Sequence, residues 1–186
     1  MPRTNEQFQQ MKDERKESIL NVSLPLFSLY GKKVSIDFIC EKAKCSHGLV
    51  YHYFKNTDAV YLELLKNEKY VSFANEIFKD YSSIKAIDAL KNIIGILYNV
   101  NDVTSMAYLN IIISSQERNS LFDLMKKLVI RGQKENDVTG GNPDDIVNAI
   151  FLLFKGIYLS YLTQKKPNIK KPSIEVIYEI FRKIVY

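Results

Sequence analysis

Apolar residues return at three- and four-residue steps along almost the whole chain, and no strand-type alternation persists anywhere. That period dictates helices, each with one apolar stripe that must be buried against others, so the predicted fold class is all-α. Turn signals divide the 186 residues into nine helices. Thr4 and Gln7 form a capping-box pair that opens the first. Its stripe is Phe8, Met11, Ile19, Val22, Leu26 and Tyr30, and Gly31 ends it. Pro25 removes a backbone donor inside this helix, which predicts a kink or break near Asn21–Pro25. Ser35 caps a second helix over 36–43, and Ser46 a third over 47–53. Asn56 opens a fourth, with Asp58 in its first turn and a stripe of Val60, Leu64, Val71, Ala74, Phe78 and Tyr81.

Ser82 or Ser83 restarts the chain into a fifth helix with Ile84, Ile87, Leu90, Ile94 and Leu97 on one face. A sixth is predicted over 103–114 and a seventh over 118–137. Thr139-Gly140-Gly141 is a break, and Asn142-Pro143-Asp144-Asp145 carries the cap, first-turn proline and acids of a helix start. The eighth helix runs from there to about residue 164. A polar loop over 165–172 holds two prolines, and a ninth helix runs from Ser173 to near residue 185. Short helices give way to long ones near residue 55, which divides the chain into 1–55 and 56–186.

Composition narrows the function classes. With 46% hydrophobic and 25% charged residues, 7 Gly, 5 Pro and 2 Cys, the chain is neither disordered, collagen-like nor disulfide-rich. No run of 18 apolar residues occurs, so no membrane span is expected. The first 17 residues are polar and lack an apolar signal core. A cytoplasmic protein with free thiols follows as the expectation. The net charge of +5 permits an anionic partner without identifying one, because it is spread evenly. Residues 1–60 hold 9 basic and 7 acidic side chains, and residues 61–186 hold 17 and 14. There is no Gly-rich phosphate loop, no Ser-His-Asp set and no carboxylate cluster, so neither an enzyme nor a cofactor is expected.

Two short helices joined by about three residues, behind a longer helix, describe a helix-turn-helix over Ser35–Phe54. Phe38 or Ile39, Cys40, Ala43, Cys45 and Val50 are its inward positions. His47, Gly48, Leu49, Tyr51, His52 and Tyr53 face outward, and they suit DNA. His47 can donate to a base edge or phosphate, Gly48 allows close backbone approach, and Leu49 can meet a thymine methyl. Tyr51, His52 and Tyr53 supply ring and hydrogen-bonding contacts to the sugar-phosphate wall. Lys55 adds a phosphate partner beside the free N–H groups of the fourth helix. Ser35, at the start of the second helix, completes the candidate DNA-contacting set. Cys40, Cys45, His47 and His52 also read as C-x4-C-x-H-x4-H. That spacing matches no common zinc pattern, and the helix-turn-helix turns thiols inward and imidazoles outward, so no metal site is expected. A protein partner, or metal or thiol sensing, is the alternative use of the third helix.

The run Ile19-Leu20, Leu26-Phe27, Gly31, Val34-Ser35-Ile36, Ile39, Ala43, Ser46-His47-Gly48 and Tyr51-His52-Tyr53-Phe54-Lys55 resembles the N-terminal domain of the TetR family of transcriptional regulators. Ser-x-Gly-x-x-Tyr-x-Tyr-Phe-Lys is the most specific part, and the resemblance spans about residues 15–65. It departs from the family pattern at Lys44, where glycine is usual in the turn, at Cys40 for alanine, and at Thr57 for lysine. Pro25 is also unusual. The resemblance implies a homodimer through the helices near 143–164 and 173–185, and a C-terminal domain that encloses a small-molecule effector. It further implies a near-palindromic duplex operator that the protein, as a repressor, releases when the effector binds and helix four moves. Tyr98, Met106, Tyr108, Phe122, Met125 and Tyr158, on helices five to eight, are the candidate effector contacts. The eighth helix is apolar on nearly every side over 146–162, with Ala149, Gly156 and Ser160 small enough for close approach to a second subunit. A fully internal core helix is the other reading of that segment.

Overall fold

A computed structural model describes residues 4–66, 75–114, 120–164 and 170–182. The chain separates into two compact units, residues 1–68 and 69–186. The division falls behind the fourth helix, not in front of it at residue 55, because that helix packs on the first.

Among its described residues the first unit holds four helices: α1 (Asn5–Tyr30), α2 (Ile36–Ala43), α3 (His47–Tyr53) and α4 (Thr57–Leu65), with a 3-10 turn at Gly31–Lys33. Its starts are the sequence's own caps. The Thr4–Gln7 capping box is formed in both directions, and Ser35, Ser46 and Asn56 accept from Phe38, Leu49 and Ala59. Ile19, Leu20, Leu24, Leu26 and Phe27 of α1 are buried, with Ile36, Ile39, Cys40, Val50, Phe54, Val60 and Leu64 from the other three helices. Phe27 meets Tyr61 of α4 edge to face at 5.3 Å, and Lys16 pairs with Glu63 across the same helices. The expected break at Pro25 is absent: α1 runs unbroken past it. Buried Ser23, Leu24, Leu26, Phe27 and Ser28 surround the proline, so packing outweighs the single lost hydrogen bond. Phe8 and Tyr30, expected on the apolar stripe, are exposed.

The second unit contains α5 (Ala86–Tyr98), α6 (Val103–Ser114), α7 (Ser120–Lys134), α8 (Pro143–Thr163) and α9 (Ile174–Glu179). α8 packs on α6 and α7, α7 on α5, and α9 on α5. The shared core includes Leu90, Ile93, Ile94 and Leu97 of α5, Leu109 of α6, Met125 and Val129 of α7, and Phe154 and Tyr158 of α8. Asn142 caps α8 with Pro143 in its first turn, as expected. Neither Ser82 nor Ser83 caps α5. Ser82 is bonded to Asp80, and α5 begins at Ala86, whose N–H donates to the Glu135 carboxylate at 2.8 Å. A cap borrowed from the far end of α7 leaves no local trace in the sequence. Ile84 is accordingly exposed.

Two further expectations are corrected, the burial of Phe78 and the reach of the ninth helix. α4 is described only as far as Leu65, with 67–74 outside the described residues, so Val71 and Ala74 of its stripe lie outside them too. Beyond them Ile77, not Phe78, is buried. The ninth helix stops at Glu179 because the following backbone is paired elsewhere: Thr139 N–H donates to the Phe181 carbonyl at 2.9 Å, and Val138 bridges Arg182. Residues 115–119 and 183–186, where the seventh helix was expected to begin and the ninth to end, lie outside the described residues. Finally, α8 is long and apolar enough to cross a membrane by length and composition, with a mean hydropathy of 1.6. Here it buries Val147, Ile150, Phe151, Phe154, Ile157 and Tyr158 in the core and leaves Leu152 exposed.

Candidate nucleic-acid interface

The turn between α2 and α3 is built by backbone bonds. Lys44 sits in the left-handed region at φ 51°. Its N–H donates to the Glu41 carbonyl at 3.4 Å, and the Cys45 N–H donates to the Cys40 carbonyl at 3.1 Å. This is a Schellman stop, which normally favours glycine at the position Lys44 occupies. The position where glycine was missing from the sequence pattern is therefore the strained one, at a cost on the order of 1 kcal/mol.

With α2 stopped there, Ser46 starts α3 at once. Val50 and Phe54 anchor α3 inward, and the Phe54 N–H closes the helix on the Val50 carbonyl at 2.9 Å. His47, Gly48, Tyr51 and His52 are left exposed, and Leu49 and Tyr53 half-buried. Tyr51 keeps 56% of its surface in solvent. The Tyr53 ring lies 4.9 Å from that of His52, edge to face. Lys55 is exposed just past α3, as is Ser35, whose hydroxyl is already engaged in capping α2. Lys32, Lys33, Lys42 and Lys44 add exposed cations on neighbouring segments of the same unit.

Two features refine the expected surface. A Cβ on Gly48 would meet nothing closer than the Ser46 hydroxyl at 4.0 Å. Glycine in a helix costs roughly 0.5–1 kcal/mol against alanine, and no contact among the described residues requires it here. His47 does not stand alone: its Nε2 lies 2.6 Å from Asp37 Oδ1. Asp37 was missed because it lies in the first turn of α2, where a carboxylate reads as an ordinary helix-dipole partner. Cys40 and Cys45 are joined through their backbone across the turn, while His47 pairs with Asp37 and His52 lies against Tyr53. Among the described residues no group of three or more His, Cys, Asp or Glu could hold a metal ion.

A short reading-type helix exposed beyond a three-helix core, followed by an all-helical second unit, can be compared with known folds. The chain superposes on the HlyIIR mutant protein with a TM-score of 0.67 at 17% identity, covering 93% of this chain and 99% of that one. A TetR-family transcriptional regulator from Haemophilus influenzae gives 0.54 at 16% identity, covering 94% and 100%. A SmeT–triclosan complex gives 0.54 at 16%, covering 91% and 92%. This is the fold of TetR-family transcriptional regulators. No protein-family model matches the sequence, and no curated protein matches it either. The TetR fold is thus shared here at identities too low for sequence alone to carry it across the whole length.

In the second unit of the TetR fold, the six candidate effector contacts are buried or partly buried. Met106, Met125 and Tyr158 are buried in the central cluster, and Tyr98 and Phe122 pack against it. Tyr108 is buried as well. The Tyr158 hydroxyl donates to the Leu97 carbonyl at 2.8 Å, and burial pushes this phenol far above its ordinary value. Tyr98 donates to the Pro172 carbonyl at 3.0 Å, while Lys171 lies over its ring at 4.1 Å. Two surface clefts lie elsewhere. One of about 920 Å³ follows α5 past Glu76, Lys91, Gly95, Asn99, Asp102 and Tyr178. The other, about 380 Å³, lies between α5 and α9 beside Lys91, Asp137, Tyr178 and Arg182. None of the six candidates lines either cleft.

Proposed function

We propose that this protein is a DNA-binding transcriptional regulator of the ligand-responsive, repressor type, acting as a homodimer on a near-palindromic duplex site. The observation that carries the reading is Gly48. It occupies an exposed turn of α3 at an energetic cost that no contact among the described residues explains, beside exposed His47, Tyr51 and His52. A helix that must approach a nucleic-acid backbone closely has a use for a missing side chain there. His47 and Leu49 are then the base-edge candidates. Ser35, Tyr51, His52, Tyr53 and Lys55 position the helix on phosphate and sugar. Affinity falls steeply with salt because bound phosphates release counterions. Residues 1–55 carry the reading helix, with α4 as their structural support, and residues 56–186 carry effector binding and dimerisation through α8 and α9. An effector entering among Tyr98, Met106, Tyr108, Phe122, Met125 and Tyr158 would part a packed core. It releases DNA only to the extent that it binds the DNA-free form more tightly.

The test is fluorescence anisotropy with the duplex lying upstream of the protein's own coding sequence. Wild type binds with an affinity that drops with salt, and Tyr51→Ala and Tyr53→Ala weaken binding tenfold or more while circular dichroism is unchanged. Equal binding by both variants, or no binding by wild type at low salt, removes this reading.

A further inference from the structure

The Schellman stop between α2 and α3 has cysteines at both ends of its longer bond. Cys45 N–H donates to the carbonyl of Cys40, and the motif brings the side chains at those two positions together. Here they are thiols, and neither is in a disulfide. Cys40 is buried in the last turns of α2, whereas Cys45 is partly exposed. Burial, then the neighbouring Cys45, pushes the Cys40 thiol up. Cys45 is the more exposed residue of the two, and Cys40 is the buried one behind it.

We propose that Cys40 and Cys45 form an oxidisable dithiol that a hydroperoxide closes into an intrachain disulfide, moving the start of α3. Cys45 gives up its proton, and its sulfur attacks one oxygen of the peroxide. The O–O bond breaks, the leaving oxygen takes a proton as an alcohol or water, and Cys45 becomes a sulfenic acid. The Cys40 sulfur, losing its proton, then attacks the Cys45 sulfur. The S–O bond breaks and the hydroxyl leaves as water. Two electrons pass from the thiols to the peroxide.

Closure has a mechanical consequence. A disulfide bond is about 2.05 Å long, well inside the contact distance of two unbonded thiols, so closure draws the two residues together. Cys40 is fixed by α2 and by burial, so Cys45 moves. Ser46, the next residue, caps α3 by accepting from Leu49 N–H at 3.3 Å. The shift is delivered to the residues that would meet DNA. Only this consequence rests on the proposed function; the dithiol chemistry does not.

The experiment treats full-length protein with hydrogen peroxide, alkylates remaining thiols, and measures intact mass together with anisotropy on the upstream duplex. The expected result is loss of both alkylatable thiols and two hydrogens without covalent dimers, reversal by dithiothreitol, and at least a tenfold loss of duplex affinity. Cys40→Ala and Cys45→Ser should each keep duplex binding under the same treatment. Two thiols still alkylatable, over-oxidation of Cys45 in wild type, or covalent dimers would overturn the dithiol. A disulfide that leaves affinity unchanged would overturn the switch. If reduced protein binds no duplex, the regulator reading fails, while the mass result still decides the dithiol.

Discussion

His47 Nε2 lies 2.6 Å from Asp37 Oδ1, so the first residue of α3 is tied to the first turn of α2 across the turn that joins them. Both side chains are largely exposed. The carboxylate therefore does two opposing things for a nucleic-acid surface. It orients the imidazole, and it places a negative charge where phosphates would approach. Removing the charge while keeping the shape separates the two. Asp37→Asn should bind duplex DNA several-fold more tightly at low salt. The slope of log affinity against log salt should become more negative by up to about one. Asp37→Ala frees the ring as well and should lose part of that gain. Titration of both variants over a salt series is the measurement, and a weaker Asp37→Asn complex would show that orientation dominates.

Gly48 allows folding and binding to be read apart. The site is open, so a methyl group clashes with nothing, and alanine is the better helix former. Gly48→Ala should raise unfolding stability by about 0.5 kcal/mol or more in urea melts. The same substitution should weaken duplex binding at least tenfold. A variant that is both more stable and equally competent on DNA would show that Gly48 has no part in the interface.

At Lys44 the balance reverses, because strain is inside the chain. Its φ of 51° suits glycine, and its side chain is exposed. Lys44→Gly should stabilise the protein by about 0.5–1 kcal/mol by chemical denaturation. Lys44→Val should cost more than 1 kcal/mol, since a branched Cβ suits the left-handed region least.

These residues show what the sequence made legible. Caps were visible because Ser35, Ser46, Asn56 and Asn142 act within three residues of themselves. The left-handed turn was visible as a departure from a known pattern, and the outward face of α3 as the complement of Val50. What stayed hidden was non-local. Glu135 caps α5 from 49 residues away. Phe181 leaves helical geometry because Thr139 claims its carbonyl, and Asp37 engages His47 over ten residues. Aromatic spacing alone did not separate wall from filling either: Tyr108 and Tyr158 have the period of a pocket face and the burial of a core.

Tyr158 carries the last prediction. The Leu97 carbonyl is among the last four of α5, which have no partner inside their own helix, and the buried phenol supplies its donor at 2.8 Å. Tyr158→Phe keeps the ring and removes that donor, and should cost about 1–2 kcal/mol at neutral pH. The pH dependence follows from the direction of the shift. Burial raises the native phenol above its unfolded value, so the native state holds a proton that the unfolded state releases. The stabilisation is complete below the ordinary phenol value of about 10 and is lost as pH rises above it. Tyr81, Tyr108 and Tyr178 are raised by burial as well and add to the same decline. Urea melts followed by circular dichroism at pH 7 and pH 11 should show wild type weakening at the higher pH. Tyr158→Phe should start lower and fall less. Parallel losses in the two proteins would mean that Tyr158 ionises without unfolding, and that the core around it opens to water.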